Sequence, residues 1–124
     1  MLVLQSLWGW FESLRSAAEQ ASTLGFDGLE CNVMHPCLQG VDAAEVRQLL
    51  SAHGLVLILE ITTGGDYTPD LADGPQRHLQ QLEDLLGRAH ALEPLKINLI
   101  TGSDSWPEQE QHRFLEAVLD RSCL

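Results

Sequence analysis

Apolar and polar positions along the chain follow two different periods. Four short apolar runs have the length and composition of strands, and after each run apolar residues recur at helical spacing. The runs cover residues 2–7, 28–33, 55–61 and 95–100. The third run is almost continuously apolar, which is typical of a parallel strand covered on both faces. The pattern therefore predicts an α/β fold with four strands, each followed by a helix.

Residues with special backbone preferences stand where these helices should begin and end. The stripe of the first helix begins at Phe11, and Gly25 is placed to end that helix in the left-handed conformation. Two later helices carry a capping-box pattern at their expected starts. The two pairs are Asp42 with Glu45 and Ser105 with Glu108.

Strict alternation of strand and helix implies parallel strands joined by right-handed crossovers. Four such units can form a small doubly wound sheet with helices on both faces, or half of a TIM barrel with all helices outside. Periodicity alone does not separate these two architectures. A complete barrel needs eight units and about 250 residues, whereas this chain has 124. We therefore expect residues 1–124 to form a single partial domain, the parallel (β/α)4 half of a TIM barrel.

The charge balance of the chain limits its partners. There are 18 acidic and 7 basic residues, for a net charge of −11. Nucleic acid and anionic membranes would be repelled, so a small neutral or metal-bridged ligand is expected instead. No apolar run approaches the roughly 20 residues of a membrane span. Three cysteines without a CxxC pair indicate a reducing compartment, so we expect a cytoplasmic protein.

Strand alternation predicts a polar cluster on one side of the sheet. One side chain from each strand is a candidate for this side, toward the carboxyl ends of the strands. Burying a carboxylate without a partner costs several kcal/mol, so such residues are best tolerated around a pocket. Pairing with nearby cations or backbone donors is the alternative. The four candidates are Gln5, Glu30, Glu60 and Asn98.

The loops that follow the strands add further candidates. Trp8 follows the first strand and is equally compatible with stacking on a sugar ring and with plugging a barrel mouth. The adjacent glycines 64 and 65 after the third strand let a backbone approach a ligand, although a simple tight turn is favoured. Thr101 and Asp104 follow the fourth strand and precede a helix N-terminus. Because Asp104 would repel phosphate, a hydroxyl ligand suits this loop better.

Cysteine and histidine residues suggest a metal only weakly. Cys31, His35 and Cys37 lie close together in sequence, but their spacing matches no usual zinc pair and no second pair completes four ligands. The histidines at 53, 78, 90 and 112 fall in helical patterns, where we expect them at the surface or in helix packing. No metal ligands are therefore assigned within this chain.

Three short segments resemble the xylose-isomerase-like barrels, the sugar phosphate isomerase/epimerase group related to endonuclease IV. The segment 25–30, GFDGLE, resembles the "GfdGiE" pattern of the second strand, and the segment 53–55, HGL, resembles the entry to the third strand. The segment 98–106, NLITGSDSW, resembles the fourth-strand pattern "N-x-H-[ST]-G-x-D-x-W". The resemblance runs through the whole chain, with Ile100 in place of the histidine of the last pattern.

The resemblance implies a sugar or polyol isomerase or epimerase that depends on a divalent metal (Mn, Mg, Zn or Co). In that family two carboxylates act as acid and base on opposite faces of a substrate carbon, and the metal polarises the oxygens of the substrate. The metal ligands of the family belong to later strands, so this chain alone is expected to be inactive. The resemblance places Glu30 near the substrate and matches Asn98, Thr101, Asp104 and Trp106 to the fourth-strand motif.

Two functional hypotheses follow. In the first, the chain is the N-terminal part of a sugar isomerase/epimerase-like protein. In the second, it is a non-catalytic small α/β module that binds a ligand or associates with itself. A half barrel leaves strand edges and an inner face uncovered, so we expect self-association in either case.

Overall fold

A computed structural model describes residues 1–64 and 70–122 of the chain. The second glycine of the pair after the third strand, at position 65, and the third cysteine, at position 123, lie outside the described residues. Four strands alternate with four α-helices, and a short 3-10 helix at Pro36–Leu38 precedes the second α-helix. The strands are β1 (Leu4–Ser6), β2 (Gly28–Asn32), β3 (Val56–Thr62) and β4 (Lys96–Ile100), and the helices are α1 (Leu14–Leu24), α2 (Ala43–Ala52), α3 (Pro75–Ala91) and α4 (Glu108–Ser122).

The strands form a parallel sheet in the order β1-β2-β3-β4. In register, Leu4 pairs with Gly28, and Gly28 pairs with Val56. The predicted α/β class, with four parallel strands that are each followed by a helix, is therefore confirmed.

Two glycines of the GFDGLE segment have clear structural roles. Gly25 ends α1 with a φ of 79°, in the left-handed region that glycine enters without strain. Gly28 lies in β2, where a Cβ atom would come within 2.3 Å of the carbonyl oxygen of Val56. Close approach of the first three strands therefore requires glycine at position 28.

Two predicted helix starts were wrong. Phe11 lies before α1 and is 95% exposed, because Ser13 caps this helix by accepting a hydrogen bond from the amide of Ser16 at 3.1 Å. Ser105 does not cap α4, since its hydroxyl group faces the hydroxyl group of Ser103 at 2.8 Å. The helix begins at Glu108, directly after Pro107. The Asp42 cap is confirmed, because its carboxylate accepts from the amide of Ala44.

The chain divides into two compact units. The first unit combines Met1–Glu60 with Arg88–Asn98, and the second combines Ile61–Gly87 with Leu99–Leu124. In the first unit α1 packs against β2 and α2. Its buried core includes Ala17, Ala21, Leu29, Val46, Leu50, Leu57 and Leu59.

The second unit has an aromatic core. The rings of Trp106 and Phe114 meet edge to face, with centroids 5.0 Å apart. Leu82 and Val118 are buried in the same unit. Gly102 has a φ of 88°, and a Cβ there would touch the Phe114 ring at 3.4 Å. A glycine therefore suits this position both in conformation and in space.

Within the two described ranges of the chain, no helix combines the length and the apolar character needed to cross a bilayer.

Candidate functional site

One face of the β1–β2–β3 sheet in the first unit changes character along the strands. Paired residues of a parallel sheet project to the same side, so the register defines the members of this face. From the amino ends to the carboxyl ends, its rows are first Leu4, Gly28 and Val56, then Ser6, Glu30 and Ile58, and last Asn32 and Glu60. We call this surface the strand-end face. The opposite face carries the buried leucines of the core.

Glu30 and Glu60 both lie on the strand-end face. Glu30 pairs with Ile58, two residues before Glu60, and Glu60 itself pairs with Asn32. Both carboxylates are half-buried near the carboxyl ends of adjacent strands. The predicted shared side for these two residues is confirmed by the register. Asn32 is used locally, because its side-chain oxygen accepts a hydrogen bond from the amide of Met34 at 2.9 Å.

Gln5 does not share this face, and the prediction that it does was wrong. It pairs with Leu29 in register, and Leu29 is fully buried on the opposite face. The side-chain oxygen of Gln5 is buried and has no hydrogen-bond partner among the described residues. Ser6, one residue later, takes the position beside Glu30. The error arose because β1 has three residues, which are too few to show from sequence which of them project to which side of the sheet.

The remaining predicted residues of the first unit are Trp8 and Asn98. Trp8 follows β1 and is 75% exposed, and its amide hydrogen-bonds the hydroxyl oxygen of Ser6. Asn98 lies half-buried in β4, two residues before the end of that strand. Their predicted contact with a substrate stays a prediction.

The loop after β4 places three predicted residues in the second unit. The Thr101 hydroxyl lies 2.5 Å from the hydroxyl of Thr63, and Asp104 is exposed. Trp106 is only 7% exposed, and its indole N–H donates to the carbonyl oxygen of Asp73 at 3.3 Å. Thr101, Asp104 and Trp106 line an open groove of about 450 Å³ together with Leu71 and Phe114. Little of the Trp106 side chain is therefore exposed to this groove.

A buried histidine in the second unit was not singled out from the sequence. His78 is fully buried, and its Nδ1 atom lies 2.7 Å from the hydroxyl of Thr63. Its ring packs edge to face on Trp106 at 4.9 Å. Burial lowers the pKa of His78 from its ordinary 6.5, while the Asp73 carboxylate opposes this shift. The available signal was helical spacing, since His78 precedes the buried Leu82 by four residues.

A second group in the first unit joins Cys31, His35 and Cys37. The Nδ1 atom of His35 lies 2.9 Å from the Cys37 sulfur, and its Nε2 atom lies 3.0 Å from the carbonyl oxygen of Leu7. Both cysteines are buried and unbridged. The sequence showed that these three residues lie close together along the chain. It did not indicate which kind of chemistry their arrangement would support.

A protein site for a metal ion needs several His, Cys, Asp or Glu side chains close together. Over residues 1–64 and 70–122, no three His, Cys, Asp or Glu side chains come together in an arrangement that could hold one. The described residues therefore do not fit the divalent metal that the resemblance implies.

The four parallel strands are each followed by a helix, and polar side chains lie toward the carboxyl ends of the strands. Together these features define a (β/α) fold of the TIM-barrel type. The chain is similar to the crystal structure of AP endonuclease, family 2, from Brucella melitensis, with a TM-score of 0.60 and 16% sequence identity. The match covers 94% of this chain and 48% of that one, so the chain spans about half the length of the solved structure. No protein-family model and no curated protein sequence matches the chain. At this identity the likeness concerns the fold.

Proposed function

We propose that the chain supplies the N-terminal half of a sugar- or polyol-binding site in an isomerase/epimerase-like (β/α) barrel. The supporting observation is the position of Glu30 and Glu60 on the same face of two adjacent parallel strands, offset from each other by two residues in register. Active sites of TIM barrels lie at this end of the strands. We assign the function to the cytoplasm, in keeping with two unbridged cysteines.

Carboxylates at such positions suit a ligand with several hydroxyl groups. An ionised carboxylate accepts hydrogen bonds from neighbouring hydroxyls, and hydrogen bonds to charged groups are worth about 1.5–3 kcal/mol each. In this proposal Glu30 and Glu60 bind and orient the hydroxyls. The residues described do not provide a metal site, so the divalent metal of the implied family would need ligands from other strands, and no chemical step of this chain is derived through it.

A nuclease function is less well supported, although a similar solved structure is described as an AP endonuclease. The net charge of −11 opposes binding to a phosphate backbone. We therefore keep duplex DNA as a comparison ligand in the test and do not propose it as the substrate.

Binding can be tested on the chain by NMR titration. A panel of ketoses, aldoses and polyols is added to the ¹⁵N-labelled protein, and a DNA duplex with an abasic site forms a separate arm. We expect a sugar or polyol to shift the amide signals around Glu30 and Glu60. In Glu30→Gln the affinity should fall by roughly tenfold, since a charged hydrogen bond is lost, with little change in melting temperature.

The matched control is Glu19→Gln, which removes an exposed carboxylate on α1. This variant should bind as the wild type does. A melting temperature that collapses in Glu30→Gln while affinity is retained would assign Glu30 a structural role. Binding of the abasic duplex with no response to any sugar would replace the proposal with a nuclease-like one.

The alternative is a non-catalytic α/β module that associates with itself. The observation in its favour is the half-exposed apolar part of the strand-end face, which includes Val56 and Ile58. In the first hypothesis, sequence downstream in the gene encodes four further strands with Glu, Asp, His and Glu at their ends. Stable expression of a soluble 124-residue product with no such continuation would favour the module.

A further inference from the structure

His35 is oriented by hydrogen bonds at both ring nitrogens. The carbonyl oxygen of Leu7 can only accept, so the Nε2 atom, 3.0 Å away, carries a proton and donates it. On the other side of the ring, the Nδ1 atom accepts from the backbone N–H of Cys37 at 3.1 Å and faces its sulfur at 2.9 Å. A proton moved from this sulfur to Nδ1 produces a thiolate beside an imidazolium. Reactive cysteines are activated by the same kind of pair.

A second thiol lies against the first. The Cys31 thiol hydrogen-bonds the Cys37 sulfur, and this bond is the largest contribution in lowering the pKa of Cys37 to about 6. Burial opposes the shift, whereas the charge of His35 and its hydrogen bond to the sulfur support it. The same hydrogen bond, burial and the negative charges of Cys37, Glu30 and Glu60 all raise the pKa of Cys31. The two thiols therefore differ in acidity, and Cys37 is the more acidic of the two.

Cys37 is reached from an open groove. The groove has a volume of about 490 Å³, and Cys37 and Pro36 form part of its wall. Trp10, Phe11 and Val41 add apolar lining. Cys37 is 9% exposed and Cys31 5%, and Cys31 is not part of the groove wall. A small molecule in this groove therefore contacts Cys37 and not Cys31.

We propose that Cys37 and Cys31 form a peroxide-sensitive dithiol, in which a hydroperoxide oxidises Cys37 and Cys31 then closes a disulfide with it. The proposal rests on the contact of His35 with Cys37, the contact between the two thiols and the groove that reaches only one of them. It does not depend on the proposed sugar site.

The oxidation takes place in two steps. The Cys37 thiolate attacks one oxygen of the hydroperoxide, so that an S–O bond forms and the O–O bond breaks. The leaving oxygen takes a proton from the His35 imidazolium and departs as an alcohol or water. Cys37 has then lost two electrons to the peroxide and is a sulfenic acid. The Cys31 sulfur next attacks the Cys37 sulfur, forming S–S and breaking S–O, and the Cys31 proton leaves with the hydroxyl group as water.

The disulfide is tested by treating the protein with hydrogen peroxide and mapping its peptides by mass spectrometry. All variants carry Cys123→Ser, which removes the third cysteine. We expect a peptide pair linked through Cys31 and Cys37 that has lost two hydrogen atoms and is restored by dithiothreitol. In Cys31→Ser we expect no disulfide, and dimedone should trap a sulfenic acid on Cys37.

The role of His35 is tested by the pH profile of Cys37 alkylation with iodoacetamide. In the folded wild type the rate should rise with a midpoint of about 6, and in His35→Asn the midpoint should move toward that of an ordinary thiol. The urea-unfolded protein is the control for an ordinary thiol. The midpoint of this pH profile depends on the fraction of Cys37 that is ionised. A purely structural role of His35 would leave that midpoint unchanged.

Three outcomes would overturn the proposal. The first is oxidation of Cys37 to a sulfenic acid that never resolves onto Cys31 in the wild type. The second is a Cys37 pH profile that is the same in folded and unfolded protein. The third is stoichiometric zinc that survives dialysis and is lost in Cys37→Ser, which would make these thiols metal ligands.

Discussion

The GFDGLE segment shows how structural and chemical demands are divided within one motif. Gly25 ends a helix, and Gly28 permits the close approach of β2 and β3. Asp27 joins this segment to the chain before β1, since its carboxylate accepts from the amide of Val3 at 2.7 Å. Glu30 is the member whose carboxylate projects from the sheet near the strand ends. Most residues of this motif therefore have structural roles, and the functional hypothesis depends on Glu30 alone.

At the scale of single residues, the sequence predicted a role correctly where that role depends on residues nearby in the chain. Gly25 and Asp42 were predictable because cap geometry depends on local chain. His78 and the pair of His35 with Cys37 were not, because their roles depend on residues distant in sequence, such as Thr63 and Leu7. Helical spacing could place His78 on a buried face but could not supply its partner.

Burial of His78 makes stability depend on pH. The unfolded chain protonates this side chain near its ordinary pKa of 6.5, while the folded protein resists protonation until a lower pH. Between these two values the unfolded state binds more protons, so the free energy of unfolding falls as the pH drops below about 6.5. The loss is about 1.4 kcal/mol for each pH unit of that window.

Urea unfolding of the wild type and His78→Asn at about pH 7.5 and about pH 5.5 measures this loss. The asparagine amide can still face Thr63 but does not titrate. We expect the wild type to lose more stability on acidification than the variant does. Equal losses in both proteins would show that His78 takes up a proton without penalty.

At the scale of elements, existence and order were predictable, and boundaries less so. The apolar runs located all four strands, because continuous apolar character marks strands that are covered by helices. The start of α4 was misplaced, because Pro107 and the hydroxyl pair of Ser103 and Ser105 provide a different start from a capping box. The phase of β1 was misjudged because three residues give too little alternation.

Two glycines provide a matched test of element packing. Gly28→Ala should destabilise the protein by about 1–3 kcal/mol, because the added methyl group meets the Val56 carbonyl in β3. Gly87→Ala adds the same group to α3, where nothing lies within 4 Å. This second change should stabilise the protein by about 0.5–1 kcal/mol through helix propensity. Thermal or urea unfolding of both variants provides the measurement, and a neutral Gly28→Ala would contradict the close approach of the strands.

For the whole molecule, element order predicted parallel strands that are each followed by a helix, and the structure together with the similar solved structure supports the TIM-barrel type. The predicted self-association stays a prediction, and Val56 and Ile58 on the strand-end face are half-exposed. Whether residues 1–124 act as a single domain stays a prediction, and the two compact units are the relevant description of the chain.

Sedimentation velocity tests self-association directly. We expect the wild-type chain to form dimers or larger species and to bind a hydrophobic dye. Ile58→Lys introduces a charge on the strand-end face and should shift the population toward monomer. Leu24→Lys changes an exposed leucine on α1 and should leave the distribution unchanged. A compact wild-type monomer that does not bind dye would contradict the prediction.

The carbonyl oxygen of Leu7 accepts from two donors, the His35 ring and the amide of Trp10. A change of charge on the His35 ring therefore acts on the turn from Leu7 to Trp10. This turn places the Trp10 side chain beside the groove that Cys37 also lines. Trp10 is thus placed as an internal optical probe, and the intensity of its emission should report whether the neighbouring sulfur is reduced or oxidised.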